Sequence, residues 1–246
     1  MENKERQNLN LTGNGTVAGG VYNNVKIIGE ETIHGDVDCI SLKLTGTCDI
    51  RGNVQARTAK LVGTAEIKGN LKAEELTVVG NINIDNNIVV KELKITGESK
   101  VKGNVLVERV SIFGFLDIDG ECTTETFIVK GPFKIGGLLN AGNVDIEMHS
   151  KCHVKEIGGE RINIRRGTDM LIKKIVKSLY MPRDFYLGQL LTDSIEGDEI
   201  YLEYVKVKVV RGNNIEIGPG CEIDLIEYKN TLKQHESSSV GSKRKV

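Results

Sequence analysis

Residues 42–73, LKLTGTCDIRGNVQARTAKLVGTAEIKGNLKA, contain their own template. Leu42/Leu44, Cys48/Ile50 and Val54/Ala56 are apolar pairs with one residue between the partners. They start six residues apart, and the next pair, Ala59/Leu61, starts five residues after Val54. Ala65/Ile67 and Leu71/Ala73 then repeat the set, so the period is 17, divided as six, six and five. Successive side chains of a strand point to opposite faces. Each pair is therefore a short strand with two inward residues, and three strands per turn predict a triangular solenoid. A two-residue strand buries almost nothing alone. Stacked coils bury each other, which makes the interior strong and the ends weak.

Outward from this stretch, the pattern holds in both directions. Gly29, Gly46, Gly63, Gly80, Gly97, Gly114 and Gly131 recur once in every period. A second column, Gly35, Gly52, Gly69, Gly103, Gly120 and Gly137, follows six residues behind, with Asn86 in the one gap. Asn is the non-glycine residue most tolerant of positive φ, so Asn86 predicts a left-handed corner. Gly13 and Gly19 keep the same offset and place a first coil one residue short of the period. Ile33, Ile50, Ile67, Ile84, Val101, Ile118 and Ile135 form one inward β-branched column. After Val144/Ile146 the register slips, because Ile162/Ile164 arrive one residue later than the period demands.

Residues 168–197 break the pattern. Thr168 or Asp169 would cap a short helix carrying Leu171, Ile175 and Leu179 on one face, ended by Pro182. The β pattern resumes at Ile200/Leu202, Val205/Val207, Ile215/Ile217 and Cys221/Ile223. The expected organisation is a disordered tail over 1–8, coils over 9–167, the insert over 168–197, closing coils over 198–229 and a polar, disordered tail over 230–246.

Composition excludes several functions. The chain has 246 residues with 33 basic and 34 acidic side chains, so no net field points to nucleic acid. It has no Trp and 4% aromatics, which predicts an aliphatic core. No run of apolar residues is long enough to span a membrane, and MENKERQNLN lacks the apolar stretch of a signal peptide. Cys39, Cys48, Cys122, Cys152 and Cys221 include no C-x-x-C pair. An odd count of this kind predicts reduced thiols in a cytoplasmic protein. Four of them fall in inward columns, with Cys152 expected beside Ile135, where Cys serves as a small hydrophobe.

The segments IHGDVDC (33–39), IRGNVQA (50–56), IKGNLKA (67–73) and VKGNVLV (101–107) resemble the bactofilin family, and the likeness covers roughly residues 10–166. Residues 209–228 and the insert are similar to a longer Bacillus-type branch. The resemblance implies a right-handed parallel β-helix that assembles without nucleotide into nonpolar filaments through its terminal coils. It further implies a scaffold serving cell shape, polar organisation or surface machinery such as flagella, often at the inner face of the membrane. Two departures are visible: the insert, and the lack of the short apolar membrane-targeting segment that many members carry at the N-terminus.

Unpaired strand edges at the ends of a solenoid template further pairing. The expected polymer interface is Leu9, Leu11, Val17 and Val21 in the first coil and Ile215, Ile217, Ile223 and Ile226 in the last. The partner is a second copy, with a paralogous bactofilin as a further possibility. Leu171, Ile172, Lys173, Lys174, Ile175, Lys177 and Leu179 in the insert would either pack on the solenoid or dock a partner or an anionic membrane.

Chemistry has few footholds. His149 and His153 are the one close histidine pair, in a β-like region without the Glu of a zinc protease motif. No phosphate-binding G-x-x-x-x-G-K-[ST] motif exists. Acyltransferases and carbonic anhydrases with left-handed hexapeptide helices build each coil from three equal steps of six, which the six–six–five coil does not fit. The Asp36, Asn53, Asn70, Asn87 and Asn104 column reads as a hydrogen-bonded ladder. A non-catalytic scaffold without cofactor or metal is the leading expectation; a non-polymerising membrane-associated adaptor is the first alternative and a β-helix enzyme of acyltransferase or carbonic anhydrase type the second.

Overall fold

The computed structural model describes residues 6–167 and 188–246. The chain divides into two compact units, Met1–Gly120 and Glu121–Val246. Both are parallel β-solenoids, and no helix occurs among the described residues.

The first unit holds β1 (Gln7–Arg51), β2 (Val54–Ile67), β3 (Leu71–Ile84), β4 (Ile88–Val101) and β5 (Val105–Ile118). From β1 to β5 every partner lies one full period away: Val37 faces Val54, which faces Leu71, which faces Ile88, which faces Val105. β2 buries Val54/Ala56, Ala59/Leu61 and Ala65/Ile67, the three inward pairs read from sequence. Ile33, Ile50 and Ile67 are fully buried, and Ile84, Val101 and Ile118 nearly so. Each side chain of this kind contributes about 1.5–3 kcal/mol on burial.

The two glycine columns serve different ends. Gly80 has φ +126°, and an added Cβ would meet the Gly63 carbonyl oxygen at 2.1 Å. The second column is not left-handed above Gly35. Asn86 does not have positive φ, and among the described residues Tyr204 is the one non-glycine that does. The left-handed corner expected at Asn86 is therefore corrected. Glycine is used at Gly69 because its absent Cβ would lie 2.6 Å from the Gly52 carbonyl oxygen. Close approach, not handedness, accounts for the glycines at 52, 69, 103 and 120.

The second unit holds β6 (Cys122–Lys130), β7 (Phe133–Met148), β8 (Lys151–Arg166), β9 (Gln189–Leu202), β10 (Val205–Ile217), β11 (Glu222–Gln234) and β12 (Ser239–Lys245). Its coils are individual. A bulge between Ile135 and Leu138 sets Val144 opposite Ile162 and Ile146 opposite Ile164, the slip seen in sequence. Ahead of the bulge Val154 lies opposite Ile135, so Cys152 does not occupy that place. The core is not wholly aliphatic: Phe127 and Phe133 meet edge to face, with centroids 6.1 Å apart.

Two boundaries differ from expectation. Gln189–Gly197 belong to β9 rather than to an insert, because Leu190 and Ile195 continue buried columns. The expected helix, with Leu171, Ile172, Lys173, Lys174, Ile175, Lys177 and Leu179, lies outside the described residues. Residues 230–246 do not form a tail. Their backbone extends β11 and forms β12, paired in register from Glu222–Ser239 to Tyr228–Lys245. Polarity of side chains misled there, since strand pairing uses backbone groups that any sequence carries.

Candidate self-association site

Leu9, Leu11, Val17 and Val21, in the first coil, open four of the six inward columns. The coil is one residue short, as Asn24 shows by donating its backbone N–H to Asn8 Oδ1, 16 residues back. On that register the four side chains precede Val25, Ile27, Ile33 and Val37, which are 0–1% exposed. Leu9, Leu11 and Val17 are only half-buried, and Val21 is 57% exposed. Identical side-chain positions are thus sealed one coil in and open at the edge. Below them, among the described residues, no strand supplies hydrogen bonds to β1.

One carboxylate intrudes on this apolar set. Glu31 stands in the inward column of Cys48 and Ala65 and is 8% exposed. Gly15 lies beneath it, with its missing Cβ 3.1 Å from Glu31 Oε2, so a larger residue would crowd the carboxylate. Glu31 stands one full period before Cys48, so the template marks its place as inward but expects an apolar residue there.

Ile215, Ile217, Ile223 and Ile226 are buried at 0–3% exposure. A further coil lies over them: Leu232 pairs with Ile215, Gln234 with Ile217, Val240 with Ile223 and Lys243 with Ile226. Ser238 Oγ accepts from the Cys221 backbone N–H at 2.9 Å and donates to the Gly218 carbonyl at 2.7 Å. Gln234 Nε2 donates to the Ser238 carbonyl at 2.6 Å. The last described rung thus mixes the apolar Leu232 and Val240 with the polar Gln234, Ser238 and Lys243. The four isoleucines lie one coil inside it.

The insert leaves the solenoid through a tight stem. Lys151 pairs with Gln189, 38 positions on, and the excess lies between Gly167 and Gly188. Gly167 donates to the Met148 carbonyl at 2.8 Å, while an added Cβ on Gly188 would meet that same oxygen at 2.7 Å. Arg166 Nε donates to the Gly188 carbonyl at 3.0 Å, and its guanidinium lies 3.1 Å from the Tyr204 ring centroid. Glu203 joins them, accepting from the Arg166 backbone N–H at 3.1 Å and from the Tyr201 hydroxyl at 2.6 Å. Nothing in the repeat pointed to this cluster. Tyr204, at φ +52°, is the visible sign of it in the backbone.

The remaining candidates for chemistry are placed without convergence. His149 Nε2 lies 3.2 Å from Glu147 Oε1 and covers Gly167, whereas His153 sits in β8 opposite Lys134. Among the described residues, no three His, Cys, Asp or Glu side chains gather to hold a metal. All five cysteines are buried thiols, and burial pushes Cys48, Cys122 and Cys152 up to about 12. Such thiols are poor nucleophiles. No helix among the described residues is long and apolar enough to cross a membrane.

Comparison with known proteins agrees with this geometry. Residues 27–123 match the family model of bactofilin, described as polymer-forming cytoskeletal. The uncharacterized protein YhbF of Bacillus subtilis (strain 168) is 37% identical over 111 residues, 45% of this chain and 42% of that protein. The uncharacterized protein YhbE of the same organism is 35% identical over 116 residues, 46% of this chain and 45% of that protein. The chain thus spans less than half the length of each of these relatives. No solved structure matches it.

Proposed function

We propose, from the premise that residues 27–123 are a bactofilin segment, that the chain is a non-catalytic scaffold subunit that assembles end to end, without nucleotide, into filaments. One observation carries the reading. Columns sealed at Val25, Ile27, Ile33 and Val37 stand open at Leu9, Leu11, Val17 and Val21. Covering that rung buries apolar surface and satisfies the strand edge in one step. The family's description as polymer-forming supports a second copy as the cover.

Within a cell, such a polymer would serve shape, polar organisation or the building of surface machinery such as flagella. A paralogous chain and the inner face of the membrane are its further partners in this reading. Light scattering and negative-stain electron microscopy across salt and protein concentration test it. Filaments or short end-joined assemblies are expected. A protein that stays monomeric under every condition would leave the adaptor reading in its place.

A further inference from the structure

We propose that one flank of the first unit docks an amphipathic helix of a partner protein, one that carries a row of Asp or Glu beside a row of apolar side chains. The surface is made by two outward columns that run side by side along the solenoid, one of lysines and one apolar. It lies on the side of the coils and does not involve their ends.

Lys26, Lys43 and Lys60 stand outward in three successive coils, with Lys43 opposite Lys60 and Lys26 one period ahead. All three are exposed, and none of them forms an ion pair among the described residues. Other outward lysines are answered across coils: Lys102 by Asp85, Lys206 by Glu222 and Lys208 by Asp193, each at 2.7 Å. Charges of one sign set opposite each other in a sheet repel. The column therefore lowers the stability of the bare protein and gains from an anionic cover.

The apolar column lies two residues further along each strand. Ile28, Val62, Val79 and Phe113 are 40%, 36%, 44% and 61% exposed, and Thr45 and Thr96 fill the rungs between them. The first glycine column follows at once, so the apolar row stands at a corner bare of side chains.

The spacing of these columns suits a helix. Coils stack about 4.8 Å apart, and an α-helix advances about 5.4 Å per turn. The three lysines thus span about 9.6 Å, against about 10.8 Å for two helical turns. Acids at i, i+4 and i+7 of a helix laid along the solenoid would meet Lys26, Lys43 and Lys60 in turn, with the neighbouring apolar stripe over Val62, Val79 and Phe113. From Ile28 to Phe113 the apolar column runs about 24 Å, the length of about 16 helical residues. An extended peptide keeps step less well, because its same-face residues fall about 6.8 Å apart. A flat anionic membrane is disfavoured by Glu75 and Glu92, which stand two residues before Thr77 and Lys94 on the same face. A helix about 10–12 Å across covers the two columns and leaves those acids outside. The chain's own residues 170–181 have the wrong sign, with three lysines and no acid.

The test uses the full chain and a fluorescent helical peptide of about 18 residues with one Glu stripe beside one Leu stripe. Beside it stand the same peptide with Lys for Glu, a scrambled peptide of equal composition, and phosphatidylglycerol vesicles. By anisotropy the striped Glu peptide should bind roughly tenfold or more tighter than either altered peptide, and more weakly as salt rises. The triple change Lys26→Gln, Lys43→Gln, Lys60→Gln should weaken binding about tenfold or more, and Phe113→Ser about threefold or more. Circular dichroism should be unchanged in both, because all four side chains are exposed. A striped peptide that does not bind, a scrambled peptide that binds as well, or a triple variant that binds unchanged overturns the proposal. Vesicles that hold the parent but not the triple variant, in the absence of peptide binding, overturn it too and assign the flank to lipid. Light scattering reads end-to-end assembly separately, so failure of either reading leaves the other standing.

Discussion

Asn53 Oδ1 accepts two hydrogen bonds from Asn70, one from its backbone N–H at 2.9 Å and one from its side-chain amide at 3.0 Å. The motif repeats from Asp36 to Asn53, from Asn70 to Asn87 and, through the backbone N–H, from Asn87 to Asn104. Asn53, Asn70 and Asn87 are each both donor and acceptor. Asp36, at the base, only needs to accept. Asn70→Ala removes the acceptor of Asn87 and the donor to Asn53, and should cost roughly 1 kcal/mol in urea unfolding. Asn70→Asp keeps the acceptor and should cost less; an equal loss would show that the acceptor is not what matters.

The two glycine columns respond differently to substitution. Gly80→Ala meets both a positive φ and the Gly63 carbonyl, so a loss of roughly 2–6 kcal/mol is expected. Asn86→Gly should lose about 0.5–1 kcal/mol, because the site is not left-handed and glycine adds only unfolded-state freedom. A stabilised Asn86→Gly protein would contradict the corner geometry.

Ser99 stands in the inward column between Ile82 and Leu116, 1% exposed, with no hydrogen-bond partner for its hydroxyl. An unanswered buried hydroxyl is a net cost, so Ser99→Ala should raise stability by about 1 kcal/mol in thermal or urea unfolding. An unchanged or lowered midpoint would show that the hydroxyl is answered in solution.

Burial pushes Cys39 up to about 11 and Cys48, Cys122 and Cys152 to about 12, and also raises Cys221. The thiolate is the reactive form. In mildly alkaline buffer the native protein should consume almost no disulfide reagent, and all five thiols should react together once denaturant is added. Rapid reaction of any one in the native state would place it outside the core.

The bond from Tyr201 to Glu203 pushes the phenol up to about 12. The neutral phenol is favoured in the folded state, so its contribution to stability is complete below the ordinary value near 10 and is lost as pH rises through about 12. Spectrophotometric titration should show one late phenol among the six tyrosines, absent in Tyr201→Phe.

The constant period made the first unit legible almost residue by residue, because one template is reused and every inward position repeats its neighbour. Ile50 predicts Ile67, and Ile67 predicts Ile84. The second unit was less open to this reading. The slip at Ile162 showed in the spacing, but the bulge near Ile135 and the short step from Leu190 to Val205 are each used once, so no repeat could place them. The last coil was hidden for another reason. Gln234, Ser238 and Lys243 are polar where the template demands apolar residues, and the structure makes them an end rather than a tail. The coil that covers Ile215, Ile217, Ile223 and Ile226 was not legible.

Met148 receives the chain on both sides of the insert, at Gly167 and at Gly188, while β9 resumes over β8 in register. The points of departure and return thus lie at one carbonyl, with the described strands on either side in register. This corner is a splice point. Here a foreign peptide or small domain could be carried by every subunit of an assembly, displayed at a fixed interval, without a single inward side chain being redrawn.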